Sequence, residues 1–222
     1  DGRCKSLDAR ADGYVRAENC GVCVFTSHGD DDGTLVSGTA INQDGRTSTL
    51  TAPNGPSQTQ VIASALQHAS NVAEDVVALE MHGTGTALGD PIEVGGALGI
   101  LGRAEGLQMH AMKSCVGHAE CAAGVVGLIR ASSGLQTLLR NSIMHMCMLN
   151  AHVYYATPRH EPQMSQITVP RERASLSQGL STKPTFVGLN EFALQGTISH
   201  STIIAPRPYD RDTTELEFCV LM

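Results

Sequence analysis

Two histidines stand where a folded chain could do chemistry. His82 follows an apolar run, VVALEM at 76–81, just ahead of a Gly/Thr loop. His118 follows a second apolar stretch near 108–113 and precedes a long helical pattern. About one strand–helix–strand excursion separates them. Ligands of α/β sheets collect outside the carboxyl ends of strands, so both rings are expected to reach one cleft. At a helix start the positive dipole end disfavours imidazolium, which predicts a neutral His118 with an N–H to donate. Two neutral imidazole donors aimed at one oxygen would stabilise an oxyanion or enolate, and removing one such donor costs roughly 10²- to 10³-fold in rate. Lys113 adds a cation at the same rim, and Glu93, one helical segment after His82, is placed to hold it.

Two plainer readings compete. A lone histidine at a strand end is more often a polar cap than a catalyst. The loop GTGTALG also resembles a dinucleotide loop, with Glu105 further along at the place of the acidic residue. Its third Gly comes one position late, however, and Asp90 stands where pyrophosphate charge would lie.

The elements that must position these residues are legible as alternating patterns. Asp12-Gly13 is a turn leading into YVRAENCGVCVF, read as an extended pair or bent strand ending at Phe25. The polar stretch TSHGDDDGT is the best boundary. A strand is expected at 35–41, then a long Asn/Gly/Thr/Pro loop, and a helix over 57–69 with its apolar stripe at Val61, Ile62, Ala65, Leu66 and Ala69. Strand 76–81 precedes a helix opened by Pro91. Strand 108–113 leads through SCVG into the helix AECAAGVVGLIRASSGLQTLL, whose glycines make sense if another backbone lies close. A strand at 143–149, an irregular stretch at 155–184 and a final strand–turn–strand complete the chain. The alternation implies an α/β layered sheet.

The 222 residues, 23.4 kDa, suffice for a substantial core. With 4% aromatics and no Trp, that core must be built from Ala, Val, Leu, Ile and Met. The 15 basic against 22 acidic residues give a net charge of −7, which argues against a nucleic-acid partner. Seven Cys is an odd count, so reduced thiols and an intracellular site, cytoplasmic or organellar and not secreted, are expected. No run is apolar enough for a membrane span, and the polar start excludes a signal peptide. Cys20 and Cys23 form a C-x-x-C without a second pair, so no metal site is expected. Cys219-Val220-Leu221-Met222 has the C-a-a-X form, but the acidic TTELEF upstream weighs against prenylation. A chain opening at Asp1 is expected to be a piece of something longer.

MHGTGTALGDPIE (81–93) followed by MKSCVGHAECAAGVVGLIR (112–130) resembles the two C-terminal signatures of β-ketoacyl synthases, in particular the ketosynthase domains of modular polyketide synthases. GRCKSLDARADGYVRAENCGV, GTAINQDGRTSTLTAPNGPSQ, LNAH at 149–152 and FALQGTISH at 192–200 match further family blocks in the same order. The resemblance implies a thiolase-like layered α-β-α-β-α sandwich, of which this chain is mainly the C-terminal half. Residues 1–26 would be the last hairpin of the N-terminal half, 27–210 the C-terminal half, and 211–222 a tail. It implies decarboxylative Claisen condensation of acyl and malonyl thioesters in polyketide or fatty acid synthesis.

By resemblance His82, His118, Lys113 and Glu93 are catalytic, while Thr84, Thr86 and Leu194 meet the phosphopantetheine arm or substrate. No cofactor is bound directly, since the phosphopantetheine is carried by an acyl carrier protein. That carrier, the missing N-terminal half or another chain, and an oligomeric assembly are the implied partners. The family nucleophile lies in a Thr-Ala-Cys-Ser-Ser block that would precede Asp1. Cys115 and Cys121 flank His118 at variable or Ala positions and are read as small core residues. In the family's Phe-Gly-Phe-Gly-Gly-Thr-Asn turn, Leu194 takes the gating Phe position, Ala193 and Gln195 replace glycines, and Ile198 replaces Asn. Ala and Gln there would be strained. Ala17, Asn19 and Ala151 also replace the family's Gly, Gly and Pro. The alternative reading is a non-catalytic thiolase-fold subunit kept for its surfaces within a larger assembly. An isolated half-sandwich would expose a large apolar patch and be unstable as a monomer.

Overall fold

Run length and periodicity of the apolar residues decide which segments become strands and which become helices. The computed structural model describes residues 2–26, 34–47, 52–102, 106–137, 139–140, 142–156, 167–170, 174–175 and 185–205. In chain order the elements are β1 (Leu35–Gln43), α1 (Gly55–His68), β2 (Val76–Glu80), α2 (Gly89–Leu101), β3 (Leu107–His110), α3 (Lys113–Val116), α4 (Ala123–Thr137), β4 (Leu139–Arg140), α5 (Ala151–Ala156), β5 (Ile167–Thr168), β6 (Ala174–Ser175), β7 (Phe186–Phe192) and β8 (Thr197–Ile204). Six strands form one mixed sheet in the order β1-β8-β7-β2-β3-β5, and β4 pairs with β6. β7, β2, β3 and β5 run parallel, whereas β8 is antiparallel to both its neighbours, β7 and the edge strand β1.

The inner strands β2 and β7 are apolar on both faces because helices cover both. On one face Val61, Ile62 and Leu66 of α1 and Val94, Leu98 and Leu101 of α2 meet Leu79, Met109 and Ile198 of the sheet. On the other, Ala131 and Leu135 of α4 meet Ala78, Val187 and Ile203. This helix–sheet–helix stack is the α/β arrangement expected of one half of a thiolase-like sandwich. α1 starts where the Asn54 side chain accepts the Ser57 N–H at 3.2 Å, with Pro in its first turn.

Five expectations need correction. The strand expected at 143–149 does not form, because among the described residues Leu149 makes only an isolated bridge, to Asp8. The strand expected to reach 113 stops at His110, because Lys113 already opens the one-turn α3. The long helix begins at Ala123 rather than at 119. Glu120 has φ +49°, outside the right-handed helical region, so the α-helix cannot run through it. The segment from Tyr14 to Phe25 is neither a strand nor a hairpin: among the described residues it makes only an isolated bridge from Arg16 to His118. A strand needs a partner backbone, and Val22, Val24 and Phe25 instead lie exposed. Cys115 and Cys121 are exposed as well, not core residues, since they fall on the outer side of the short turns around His118. No helix among the described residues is long and apolar enough to cross a membrane. The C-a-a-X end and Glu105 lie outside the described residues.

Candidate active site

Because β7, β2 and β3 are adjacent and parallel, their carboxyl ends open on one rim, and each delivers polar side chains there. His82 lies two residues past β2, Lys113 three past β3, and Glu191 and Phe192 end β7. The His82 and His118 rings meet edge-on, centroids 5.3 Å apart at an interplanar angle of 86°. Phe192 lies tilted against His82 at 5.2 Å, and Tyr14 stands edge-on to His118 at 5.0 Å.

Glu93 is buried beneath the His82 loop and does not hold Lys113. Its carboxylate accepts the backbone N–H groups of His82 at 2.7 Å and Gly83 at 2.9 Å, and the side-chain amide of Asn190 at 3.0 Å. The expectation fails because α2 carries Glu93 under the loop, where unpaired amides are the nearest donors. Burial pushes the Glu93 carboxyl up to about 7, against the pull of these donated N–H bonds. Asn190 in turn pairs with the buried His200 ring at 2.6 Å. Asp90 accepts the N–H groups of Leu7 at 2.8 Å and Gly85 at 3.0 Å. The amides at 82, 83 and 85 are therefore committed to the chain's own carboxylates, and the dinucleotide reading falls: a phosphate would need those donors.

The partner of Lys113 is Glu191. The ammonium donates to both carboxylate oxygens at 3.0 Å, and the same carboxylate lies 3.0 Å from Nδ1 of His82. Burial alone would raise the Glu191 carboxyl, but the His82 hydrogen bond and the Lys113 charge outweigh it and leave it below its usual value. Burial chiefly lowers His82, with Glu191 opposing and Lys113 adding to the fall.

The backbone of His118 pairs with the N-terminal segment: its N–H donates to Val15 at 2.8 Å, and its carbonyl accepts from Ala17 at 2.9 Å. Gly117 makes this approach feasible. It has φ +78°, and a Cβ there would stand 2.9 Å from that of Ala17. The His118 Nδ1 accepts the Glu120 N–H at 3.1 Å, so the neutral ring carries its proton on Nε2. Burial, followed by the charges of His82 and Lys113, lowers His118 to about 4. Its neutrality is as expected, but the helix-dipole reason is not, because α4 starts five residues later.

Thr84 is buried in the loop after His82. The Thr86 hydroxyl accepts the Gly89 N–H at 3.1 Å at the head of α2, which leaves its own proton to donate. Leu194, 73% exposed, sits in the turn between β7 and β8, two residues past Phe192. The strain expected at Ala193 and Gln195 is absent, because the turn's left-handed position falls on Gly196 at φ +86°.

Sequence reasoning missed Glu191, Asn190, Phe192, His200 and Tyr14. For the first three a signal existed: the apolar run FVGL ends in the polar pair Asn190-Glu191, and strand carboxyl ends are where ligands gather. What the sequence did not disclose was that β7 lies next to β2.

Residues 34–146 match the family described as beta-ketoacyl synthase, C-terminal domain. The chain is 49% identical over 100 residues to a phenolphthiocerol/phthiocerol polyketide synthase of Mycobacterium tuberculosis, a match that covers 42% of this chain and 5% of that protein. It is 44% identical over 109 residues to erythronolide synthase EryA2 of Saccharopolyspora erythraea, covering 46% and 3%. Among solved structures, the oxazolomycin ketosynthase domain OzmH KS7 of Streptomyces albus superposes with a TM-score of 0.79 at 26% identity, covering 98% of this chain and 38% of that one. The module 6 ketosynthase of the bacillaene synthase of Bacillus subtilis gives 0.76 at 25%, covering 94% and 38%. The chain thus spans under two fifths of either solved ketosynthase.

Proposed function

This chain belongs to the family of β-ketoacyl synthase C-terminal domains, and from that premise we propose that it supplies the histidine–lysine half of a ketosynthase active site. The reaction is decarboxylative Claisen condensation of acyl and malonyl thioesters. The observation that carries the reading is the meeting of the His82 and His118 rings at 5.3 Å on a rim built from three strand ends. His118 offers an Nε2–H to a thioester oxygen that becomes negative as an enolate forms, and its neutrality lets it donate without first losing a charge. Lys113 and Glu191 hold the floor of the site, and Glu93 keeps the His82 loop in place without touching substrate.

The thioesters would arrive on phosphopantetheine borne by an acyl carrier protein. The free proton of the Thr86 hydroxyl suits an amide carbonyl of that arm, Thr84 lines the same loop, and Leu194 stands at the turn where it would meet the acyl chain. Residues 1–26 complete the N-terminal half, 27–210 form the C-terminal half and 211–222 a tail. The nucleophilic Cys would come from an upstream segment or a separate chain. The exposed Leu194 and altered FALQGTI turn favour a second reading, a non-catalytic subunit retained for its surfaces.

To separate the two, the N-terminal half is supplied and malonyl-thioester decarboxylation is followed with His82→Ala and His118→Ala. A catalytic site loses roughly 10²- to 10³-fold in rate on removal of the His118 donor. Unchanged rates in both variants would leave the scaffold reading.

A further inference from the structure

We infer that Glu191 is a positioning residue that fixes the proton of His82 on Nδ1, so that the two histidines are unlike: His118 a donor at Nε2, His82 an acceptor there. This deepens the ketosynthase reading and rests on it for its catalytic meaning, though not for its geometry.

The Nδ1 of His82 has two partners that make opposite demands. The Phe192 N–H points at it from 3.2 Å and needs a lone pair, while the Glu191 carboxylate lies 3.0 Å away and needs a proton. One nitrogen cannot meet both. The charge-assisted bond is shorter and roughly twice as strong as a neutral one. Lys113 donates to both Glu191 oxygens, which keeps the carboxylate ionised and so keeps its demand for a donor. For His118 there is no such conflict, because among the described residues Nδ1 receives a backbone N–H alone.

The fold makes room for this carboxylate. A Cβ at Gly127 of α4 would stand 2.9 Å from Glu191 Oε1, and one at Gly124 would stand 3.6 Å from its Cγ. At Gly127 the long helix, whose glycines were expected to admit another backbone, admits the side chains of Glu191 and Leu189, the latter also 2.9 Å from such a Cβ, whereas at Gly124 the contact is an ordinary one.

With Nε2 bare, His82 can take a proton from a thiol or an acidified C–H of the substrate. The S–H or C–H bond breaks, an N–H bond forms at Nε2, and the electron pair stays on sulfur or carbon. Glu191 balances the imidazolium charge, in the manner of a carboxylate behind a catalytic histidine.

Neutron diffraction from deuterium-exchanged crystals of the protein at neutral pH tests this directly. Deuterium on Nδ1 of His82 and none on Nε2 is the expected result. Deuterium on Nε2, alone or on both nitrogens, overturns it. In Glu191→Gln the amide can donate to Nδ1, and the deuterium should move to Nε2. A variant that keeps it on Nδ1 would also overturn the assignment. If Glu191→Gln does not fold, the wild-type proton position decides alone. The outcome is independent of turnover: with the N-terminal half supplied for the activity assay, an inactive protein whose Nδ1 is deuterated would sink the ketosynthase reading and leave this one standing, and an active protein with Nε2 deuterated would do the reverse.

Discussion

The two histidine loops end 5.3 Å apart yet are secured in different ways. The His82 loop is tied by carboxylates from the helix that follows it: Glu93 and Asp90 take its amides at 82, 83 and 85. The His118 loop is tied by backbone pairing with Val15 and Ala17, a hundred residues earlier in the chain. The first is held mainly by carboxylates of its own helix start, with further bonds from the Ser6 hydroxyl to the Gly83 carbonyl, from the Leu7 N–H to Asp90 and from the Gly13 N–H to the Gly85 carbonyl. The second depends on where a distant segment lies, and beyond Ala17 that segment leaves Val22, Val24 and Phe25 exposed. The difference predicts that damage to the first loop registers mainly in global stability, and damage to the second in the geometry of His118.

Glu93→Ala should cause the largest loss. It strands the N–H groups of His82 and Gly83 and the amide of Asn190 in a buried site, at about 1–3 kcal/mol for each unpaired group. Since water enters the cavity in part, a total of roughly 3–5 kcal/mol is expected in urea melts. A loss under about 1 kcal/mol would break the comparison. Gly117→Ala strikes the other loop. Its φ of +78° with ψ of −173° lies in a region essentially confined to glycine and costs an Ala about 1–3 kcal/mol, and the Cβ of Ala17 must give way. The expected signature is a smaller stability loss with the His118 ring resonances displaced, while those of His82 stay in place.

Acid sharpens the contrast. A histidine held below its ordinary value binds fewer protons folded than unfolded. Its stabilisation is complete above about pH 6.5 and drains away as pH falls towards about 4 for His118. Glu93, raised to about 7, has the opposite sign: its contribution is complete below about 4.5 and is lost as pH rises through about 7. Thermal melts across pH 4–7 should therefore show His118→Gln losing less stability on acidification than wild type, and Glu93→Gln losing less on the alkaline side. Parallel curves for all three proteins would contradict the protonation states assigned to both loops.

Much of this was legible in the sequence. The apolar stripe located α1, Pro91 in the first turn marked α2, and short apolar runs marked β1, β2 and β7, because residues facing helices and sheet must be apolar. His82, His118 and Lys113 were found because strand ends and loops carry distinctive polar residues. Glu93 was found but given the wrong partner, since sequence spacing says that a carboxylate is near a loop and not which donors reach it first. Glu191 was missed for a related reason. Its importance comes from strand order, with β7 beside β2, and from Gly127 of α4, which leaves room for it. The Tyr14–Phe25 segment misled because β-forming residues extend only when another backbone pairs with them.

Tyr14→Ala carries the smallest effect and the finest discrimination. Among the described rings Tyr14 pairs with the second histidine alone, edge-on at 5.0 Å, a contact worth about 0.5–1.5 kcal/mol. Losing it should leave the His82 loop in place, because the bonds that reach that loop from the N-terminal segment come from the Leu7 and Gly13 backbone and the Ser6 hydroxyl, not from the Tyr14 ring. It should also admit water to the His118 ring. Burial is the largest cause of that ring's low value, so titration followed by NMR should move His118 upward from about 4 towards the ordinary 6.5. His82, lowered by its own burial under Phe192 and offset by Glu191, should titrate as before. If both histidines moved together, the two loops would be one cooperative unit, and the separate anchoring of His82 and His118 would have to be abandoned.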